Sequence, residues 1–295
     1  MITGGAGFIG RYLAERLCDN NQISIYDDLS NSSIEKISFL IDRGTKFIRG
    51  DILDVEKLLE SSKNFDVVIH LAAKSNVAES VINPKDTINV NLNGTINVLK
   101  CCVYNKIRKI IFASSAAVYG DHNDVITEKS ETNPMSPYGK SKLDAEKEIE
   151  KHCRENNLKY TILRIFNVYG IGQNDQYAGV ISKFLKNISE NKPLVIYGDG
   201  KQSRDFVSVY DVAESFEHAI SSENSDTYNI ASGKSISVNE LAEKMILLSG
   251  KKLDMIHKEQ KKGDIKNSVA DVSLAEKNLG FLAEKKLSDE LSKLC

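Results

Sequence analysis

The stretch MITGGAGFIG at residues 1–10 decides the fold class, because it spaces three glycines as G-x-x-G-x-x-G. At a strand-to-helix turn, Gly4 allows the tight turn, Gly7 lets backbone approach a pyrophosphate, and Gly10 lets the helix pack close to the strand. The helix N-terminus adds free N–H groups and the positive end of its dipole. We therefore predict a dinucleotide site at this loop, including Phe8 and Ile9.

The strand that should lead into this loop is unusually short. Only residues 1–3 precede the glycines, whereas a strand usually has about five or six residues. Either the first strand is very short, or the sequence lacks its first few natural residues. We favour the second interpretation.

Short apolar runs then alternate with longer helical patterns. The runs are nearly continuous in hydrophobicity, as expected for strands that are covered on both faces. Predicted strands span 22–27, 46–51, 66–73, 109–115 and 160–167, and predicted helices span 8–20, 34–43, 54–62, 85–105 and 138–156. This alternation predicts an α/β fold with a doubly wound parallel sheet, the Rossmann architecture.

The alternation of predicted strands and helices becomes less regular after about residue 167. A strand and turn are predicted at 193–200, a helix at 209–220, and the SVNE stretch at 237–240 is a capping box that begins a helix through Leu248. We predict a Rossmann domain over residues 1–166 and a smaller C-terminal α/β substrate lobe over 167–295. The lobes are expected to interleave across a soft boundary.

Composition excludes several classes of protein. The 295 residues are 41% hydrophobic with a net charge of −2, which gives no reason to expect nucleic-acid or membrane partners. No apolar run is long enough to cross a bilayer. The five cysteines include no C-x-x-C pair, so we expect reduced thiols, no metal site and a cytoplasmic protein.

Acidic residues after the next strands indicate which dinucleotide binds. Asp27 ends the second predicted strand, where its carboxylate can accept hydrogen bonds from both hydroxyls of an adenosine ribose. Asp28 adds a negative charge and no arginine follows nearby, so a 2′-phosphate would be repelled and NAD is preferred to NADP. Asp51 and Ile52 close the third strand, where the adenine edge would lie.

Three motifs together carry a family resemblance. TGGAGFIG at 3–10, SSAAVYG at 114–120 and YGKSK at 138–142 resemble the extended short-chain dehydrogenase/reductase family. Within that family the chain most resembles the NAD-dependent UDP-sugar 4-epimerases. The cofactor site so implied comprises Gly4, Gly7, Phe8, Ile9, Gly10, Asp27, Asp28, Asp51, Ile52, Leu71, Ala72, Ala73, Asn91, Ser114, Tyr138, Lys142 and Phe166.

Catalytic roles follow from the second and third motifs. Tyr138 and Lys142 lie one turn apart on a helix, and the ammonium with the positive nicotinamide ring favours the phenolate that acts as base. Lys142 can also hold the nicotinamide ribose. Ser115, at the end of a strand, can bond the sugar oxygen, although a helix cap is the alternative. Asn91 is expected to hold backbone beside the cofactor, with Asn93 a weaker alternative.

The residues after Ser115 indicate the reaction. Related 4,6-dehydratases carry Asp-Glu there and related decarboxylases keep Glu, whereas this chain has Ala116-Ala117. Without an acid for elimination, the resemblance implies that a hydride leaves C4 for NAD and returns to the other face. Some epimerases place a lysine where Ser75 stands, so Lys74 receives no role.

The resemblance also implies a substrate site for a UDP-sugar. Phe166 would lie near the nicotinamide, Tyr197 would stack on uracil, and Arg204 would bind the diphosphate. Lys261 stands where relatives usually have Arg, and Ser268 leaves room for an N-acetyl group. The complete predicted substrate site is Ser115, Tyr138, Asn167, Val195, Tyr197, Arg204, Lys261, Asp264 and Ser268.

Two other functions stay open. The chain could act on a GDP- or dTDP-sugar with the same scaffold, or it could be a catalytically silent NAD-binding sensor. The resemblance further implies a homodimer, paired through the helices predicted at 85–105 and 138–156.

Overall fold

The computed structural model describes residues 1–173, 179–260 and 265–295. Its largest feature is a sheet of seven parallel strands. Those strands are β1 Ile2–Thr3, β2 Ser24–Asp27, β3 Lys46–Arg49, β4 Val67–His70, β5 Lys109–Ser115, β6 Lys159–Ile165 and, far along the chain, β10 Asp226–Ile230. Their spatial order is β10-β6-β5-β4-β1-β2-β3. The order in which strands are added to the sheet therefore reverses between β1 and β4, as in the Rossmann fold that the sequence predicts.

Helices cover both faces of this sheet. They are α1 Phe8–Leu17, α2 Ser38–Asp42, α3 Val55–Ser61, α4 Val77–Ile82, α5 Pro84–Ile88, α6 Gly94–Tyr104, α7 Pro137–Asn156 and α9 Val209–Ser221. Strand β5 shows why its sequence is continuously apolar. Ile111 and Ala113 belong to the core cluster that includes α1 and α9, whereas Ile110 and Phe112 belong to the cluster that includes α3, α6 and α7. Alternate side chains thus enter two different cores.

Strand β1 has only two residues, Ile2 and Thr3, yet it lies at the centre of the sheet. It pairs with β2 on one side and with β4 on the other. The glycine loop therefore leaves the sheet at the point where the strand order reverses.

The predicted helix at 85–105 is not one regular helix. The structure has α5, then a π-helical turn over Asn89–Asn93, then α6. Helix α4, immediately before them, was not predicted. Ser136, outside the predicted helix at 138–156, caps α7 by accepting the N–H of Gly139. π-Turns often mark functional positions, and this one contains the buried Asn91.

The second half of the chain forms smaller sheets and returns once to the large one. Its strands are β7 Asn167–Tyr169, β8 Leu194–Tyr197, β9 Ser203–Ser208, β11 Ser235–Ser237 and β12 Met255–Lys258, and its further helices are α8 Val180–Ser189, α10 Val238–Ser249 and α11 Leu287–Leu294. One sheet has the order β11-β9-β7, and β8 pairs with β12. The capping box that precedes α10 is present as predicted. Because β10 joins the large sheet, the chain crosses between the two parts, and the boundary at 166/167 stays a prediction.

Among the described helices, none combines the length and the apolar character that crossing a bilayer requires.

Candidate active site

A cavity of about 600 Å³ opens at the carboxyl ends of the parallel strands. The glycine loop, the ends of β2, β4 and β5, the start of α7 and the segment after β6 line it. Open parallel sheets bind ligands at this edge, beside the reversal in strand order. The cavity therefore lies where the sequence predicts a dinucleotide.

The glycine loop lies against the start of the segment that follows β4. Gly4 has a φ of +69°, and a Cβ there would lie 2.5 Å from the backbone nitrogen of Ala72. A Cβ on Gly10 would lie 2.6 Å from the carbonyl oxygen of Gly4. Helix α1 begins at Phe8 without a side-chain cap and has no acidic residue in its first turn. The loop thus fits a pyrophosphate, because its backbone is bare and no side chain caps the first turn of α1.

Asp27 holds the glycine loop as well as facing the cavity. One carboxylate oxygen accepts the N–H of Ala6 at 3.0 Å and the other accepts the N–H of Leu29 at 2.8 Å. Burial raises the pKa of Asp27, and these two backbone hydrogen bonds lower it. A carboxylate oxygen can accept more than one hydrogen bond, so Asp27 retains capacity for the hydroxyls of a ribose.

The predicted catalytic residues come together where β5 meets α7. Ser115, Tyr138 and Lys142 all line the cavity. Burial raises the pKa of Tyr138, and a hydrogen bond with the Ser115 side chain lowers it. Ser115 also accepts the N–H of Ala117 at 3.2 Å, so the helix-cap alternative is present alongside the contact with Tyr138. A hydroxyl can do both, because it accepts with its lone pairs while its proton remains free to donate.

Lys142 is a buried cation in a partly apolar setting. Its Nζ donates to the carbonyl oxygen of Ala113 at 2.8 Å and lies 4.6 Å from the centre of the Phe112 ring. Burial lowers the pKa of Lys142 to about 7, although the charge of Glu146 opposes that shift. The pKa of Lys142 thus lies near neutral pH, so neighbouring charges decide how much of Lys142 is protonated there.

Glu146 and Arg164 form a buried ion pair that the sequence analysis missed. Arg164 donates from Nη2 to Glu146 at 2.7 Å and from Nε to both carboxylate oxygens, at 3.1 and 3.2 Å. The Ser114 hydroxyl donates to the same carboxylate. Arg164 also donates to the Tyr119 hydroxyl at 3.0 Å. Tyr138, Lys142 and Glu146 recur every four residues, and that spacing could have indicated a third member of the helix face.

Asn91 lies beside the cavity and does not line it. Its amide accepts the N–H of Lys74 at 2.7 Å and donates to the Lys74 carbonyl at 3.0 Å and to the Ser141 hydroxyl at 2.9 Å. It therefore fastens the loop after β4 to α7. Lys74 itself does line the cavity, in an ion pair with Asp86 at 3.5 Å.

The other predicted cofactor residues line the cavity. They are Gly4, Gly7, Phe8, Ile9, Gly10, Asp27, Asp28, Asp51, Ile52, Leu71, Ala72, Ala73, Ser114, Tyr138, Lys142 and Phe166. Lining residues that the sequence analysis did not single out include Tyr26, Val90 and Gln173.

The predicted substrate residues divide into two groups. Ser115, Tyr138 and Asn167 line the cavity, and the Asn167 amide donates to the Asp205 carbonyl at 2.9 Å. The residues outside that lining are Val195 and Tyr197 on β8, Arg204 on β9 and the buried Ser268. Lys261 and Asp264 lie outside the described residues. Of the predicted substrate residues that the structure describes, only the first group thus lies at the cavity. The roles of the remaining residues stay predictions.

No cluster of three or more metal-ligating side chains occurs in the ranges 1–173, 179–260 and 265–295.

The Gly4→Ala substitution tests the close approach of the loop, with Gly250→Ala as a matched control. Both glycines have a left-handed φ, +69° and +65°, but a Cβ at Gly250 would meet no atom within 4 Å. We expect Gly250→Ala to lower the free energy of unfolding by about 1 kcal/mol. Gly4→Ala should lower it by at least about 3 kcal/mol and reduce the NAD retained on purification. Urea unfolding and the bound-nucleotide content measure both; equal effects of the two variants would contradict the close approach.

Comparison with known proteins identifies the family. A model described as the NAD dependent epimerase/dehydratase family matches residues 1–231. The UDP-glucose 4-epimerase of Bacillus subtilis is 30% identical over 318 residues, which cover 98% of this chain and 93% of that protein.

Two solved structures are similar over almost the whole chain. A UDP-N-acetylglucosamine 4-epimerase from Methanobrevibacter ruminantium, in complex with UDP-N-acetylmuramic acid, has a TM-score of 0.95 and 34% identity, covering 99% of this chain and 95% of that one. A UDP-glucose 4-epimerase from Thermotoga maritima with UDP-glucose has a TM-score of 0.94 and 32% identity, with the same coverage. These similarities confirm the predicted resemblance to UDP-sugar 4-epimerases, which are isomerases, and the predicted fold. The chain belongs to the NAD dependent epimerase/dehydratase family.

Proposed function

We propose that this protein uses NAD to epimerise a UDP-hexose at C4 through a transient 4-keto sugar. The observation that carries the proposal is that Ser115, Tyr138 and Lys142 line one cavity, with Ala116-Ala117 after Ser115. This arrangement supplies a hydroxyl and a phenol for one sugar oxygen. The two residues after Ser115 supply no acid for eliminating water across the ring.

The residues present fit NAD as the resident cofactor. The glycine loop would hold its pyrophosphate, Asp27 its adenosine ribose, and Lys142 its nicotinamide ribose. When bound, NAD supplies an acceptor and donor of hydride. Because the cofactor is regenerated in each cycle, it should be retained through purification.

Tyr138 is the proposed base. It takes the proton of the sugar 4-hydroxyl as hydride leaves C4, while Ser115 holds the same oxygen. The keto sugar then turns within the pocket, hydride returns to the other face of C4, and Tyr138 gives its proton back. In the structure, burial raises the pKa of Tyr138. We propose that the cationic Lys142 and the positive ring of oxidised NAD offset that shift when the site is filled.

The substrate site extends, in this proposal, from Asn167 towards β8 and β9. Tyr197 would stack on uracil and Arg204 would bind the diphosphate with its guanidinium. The preference for UDP over GDP or dTDP rests on the family resemblance and on relatives named for UDP-sugars.

A homodimer paired through the helices at 85–105 and 138–156 is part of the same proposal. In support, Ile88 and Tyr104, both in the 85–105 segment, are 39% and 72% exposed. A second copy could cover such apolar side chains.

Incubation of the purified protein with UDP-glucose, UDP-galactose and their two N-acetylated counterparts, without added NAD, tests the reaction. We expect interconversion of 4-epimers, detected by chromatographic separation of the products. Tyr138→Phe should lower turnover by about 10²–10⁴-fold because the base is lost. Tyr160→Phe, at the start of β6 and outside the cavity lining, is the matched control and should leave turnover unchanged.

Three results would contradict this proposal. Wild-type activity in Tyr138→Phe would show that Tyr138 is not the base. Turnover of dTDP- or GDP-hexoses but of no UDP-hexose would show that the substrate is not a UDP-sugar. Retained NAD without turnover of any of these sugars would favour the non-catalytic sensor.

Ser268 should set whether N-acetylated sugars are accepted. We expect Ser268→Tyr to slow the UDP-N-acetylhexoses at least tenfold relative to the plain UDP-hexoses, because the larger ring takes the space of the acetamido group. Ser268→Ala is the control and should turn over both classes like the parent. Steady-state kinetics on both substrate pairs measure the ratio of turnover between the two classes. An unchanged ratio in Ser268→Tyr would show that Ser268 does not border the substrate.

A further inference from the structure

Below the cavity, three charged side chains of alternating sign are buried together. Lys142, Glu146 and Arg164 are 3%, 2% and 7% exposed. The carboxylate of Glu146 is held by Arg164 from β6 and by the Ser114 hydroxyl from β5. Glu146 is thus paired with Arg164, while Lys142, which lines the cavity, precedes it on α7 by one turn.

Glu146 is connected to the proposed catalytic residues through two elements, α7 and β5. On α7 it follows Lys142 by one turn and Tyr138 by two. On β5, Ser114 contacts Glu146, while the preceding Ala113 carbonyl accepts from Lys142 and the following Ser115 contacts Tyr138. A change at Glu146 therefore reaches the catalytic residues through both the helix and the strand.

We propose that Glu146 is a positioning residue that keeps Lys142 protonated and aimed at the cavity. The proposal rests on the proposed function in one respect: the cation so maintained serves the base Tyr138. The ion pair with Arg164 keeps the carboxylate charged and immobile, because a guanidinium holds a carboxylate through several hydrogen bonds at once.

Among the described residues, Glu146 is the carboxylate whose charge favours the protonated form of Lys142. On β4, His70 is buried between the hydroxyls of Thr3 and Thr95, and burial lowers its pKa to about 3, so it contributes no charge. On α5, Asp86 is paired with Lys74. The neutral form of Tyr138 adds no charge. Burial lowers the pKa of Lys142 to about 7, with the charge of Glu146 already opposing that shift.

The direction of the effect follows from these charges. Removing the carboxylate lowers the pKa of Lys142 further, so Lys142 loses its proton at a lower pH. If activity requires the protonated lysine, the alkaline limb of the pH–rate profile moves to lower pH. A residue that served only to pack α7 against β6 would lower stability without moving that limb.

The test compares Glu146→Gln with two further variants. Glu146→Gln keeps the size of the side chain but leaves Arg164 buried and unpaired, which can unfold the protein. The double variant Glu146→Gln/Arg164→Met removes that unpaired charge and still lacks the carboxylate. Glu150→Gln, one turn further along the same helix face, is the matched control.

Two readouts are used on the protein as purified. The first is the titration of Lys142 by carbon NMR on protein labelled at lysine Cε, its resonance assigned by its loss in Lys142→Met. We expect the midpoint to fall by about one pH unit in Glu146→Gln, which leaves Arg164 as an unpaired cation. It should fall by a smaller amount in the double variant, and stay in place in Glu150→Gln. The second is the pH–rate profile, whose alkaline limb should fall by a similar amount.

An unchanged Lys142 titration in the double variant would overturn the proposal. The NMR readout needs no turnover, so the two proposals fail separately. A parent that epimerises no UDP-hexose would contradict the proposed reaction, whereas the shift in the Lys142 titration would still support the role of Glu146.

Discussion

The contact between α7 and the carboxyl end of β5 governs the chemistry available to this molecule. Three consecutive residues of the strand each engage one turn of the helix. The Ala113 carbonyl accepts from Lys142, the Ser114 hydroxyl donates to the Glu146 carboxylate, and Ser115 contacts Tyr138. Because these bonds differ in kind, a slip of the helix along the strand would lose all three. Tyr138, Lys142 and Ser115, which we propose as the base, its cation and the hydroxyl for the substrate oxygen, are therefore fixed as one unit.

The glycine loop lines the same cavity as this unit, and we propose that it holds the cofactor there. Strand β1 lies between β2 and β4, so Gly4 leaves the sheet where the strand order reverses, and Asp27 at the end of β2 braces the loop through Ala6. Asn91 performs a similar task on the far side, since it joins the loop at Lys74 to Ser141 of α7. The cavity is thus held by hydrogen bonds to backbone on both sides, which suits a site that must orient two ligands at once.

Much of this arrangement is readable from local sequence. Strand β5 matches its predicted span of 109–115, and the spacing of Tyr138 and Lys142 places both on one helix face. These features depend on neighbouring residues, so periodicity reveals them. The predicted single helix at 85–105 was wrong in its interior, where the structure has a π-turn over Asn89–Asn93. One extra residue in a turn is not evident from a short stretch of hydrophobic periodicity.

Contacts between residues far apart in the sequence could not be predicted from local sequence patterns. The pairing of Glu146 with Arg164 joins a helix to a strand, and β10 joins the large sheet some sixty residues after β6. The wall that Tyr197 and Arg204 would form likewise depends on how the smaller sheets pack. Local patterns name such residues, but only the tertiary structure says which of them meet.

The most direct measurement follows one hydrogen atom. The protein is incubated in ordinary water with UDP-glucose that carries deuterium at C4, and the epimerised product is analysed by mass spectrometry. If hydride is removed from C4 and returned to the same carbon, the deuterium stays at C4 of the product. Replacement of that deuterium by hydrogen from the solvent would contradict the account, because it would mean that C4 inverts by proton exchange.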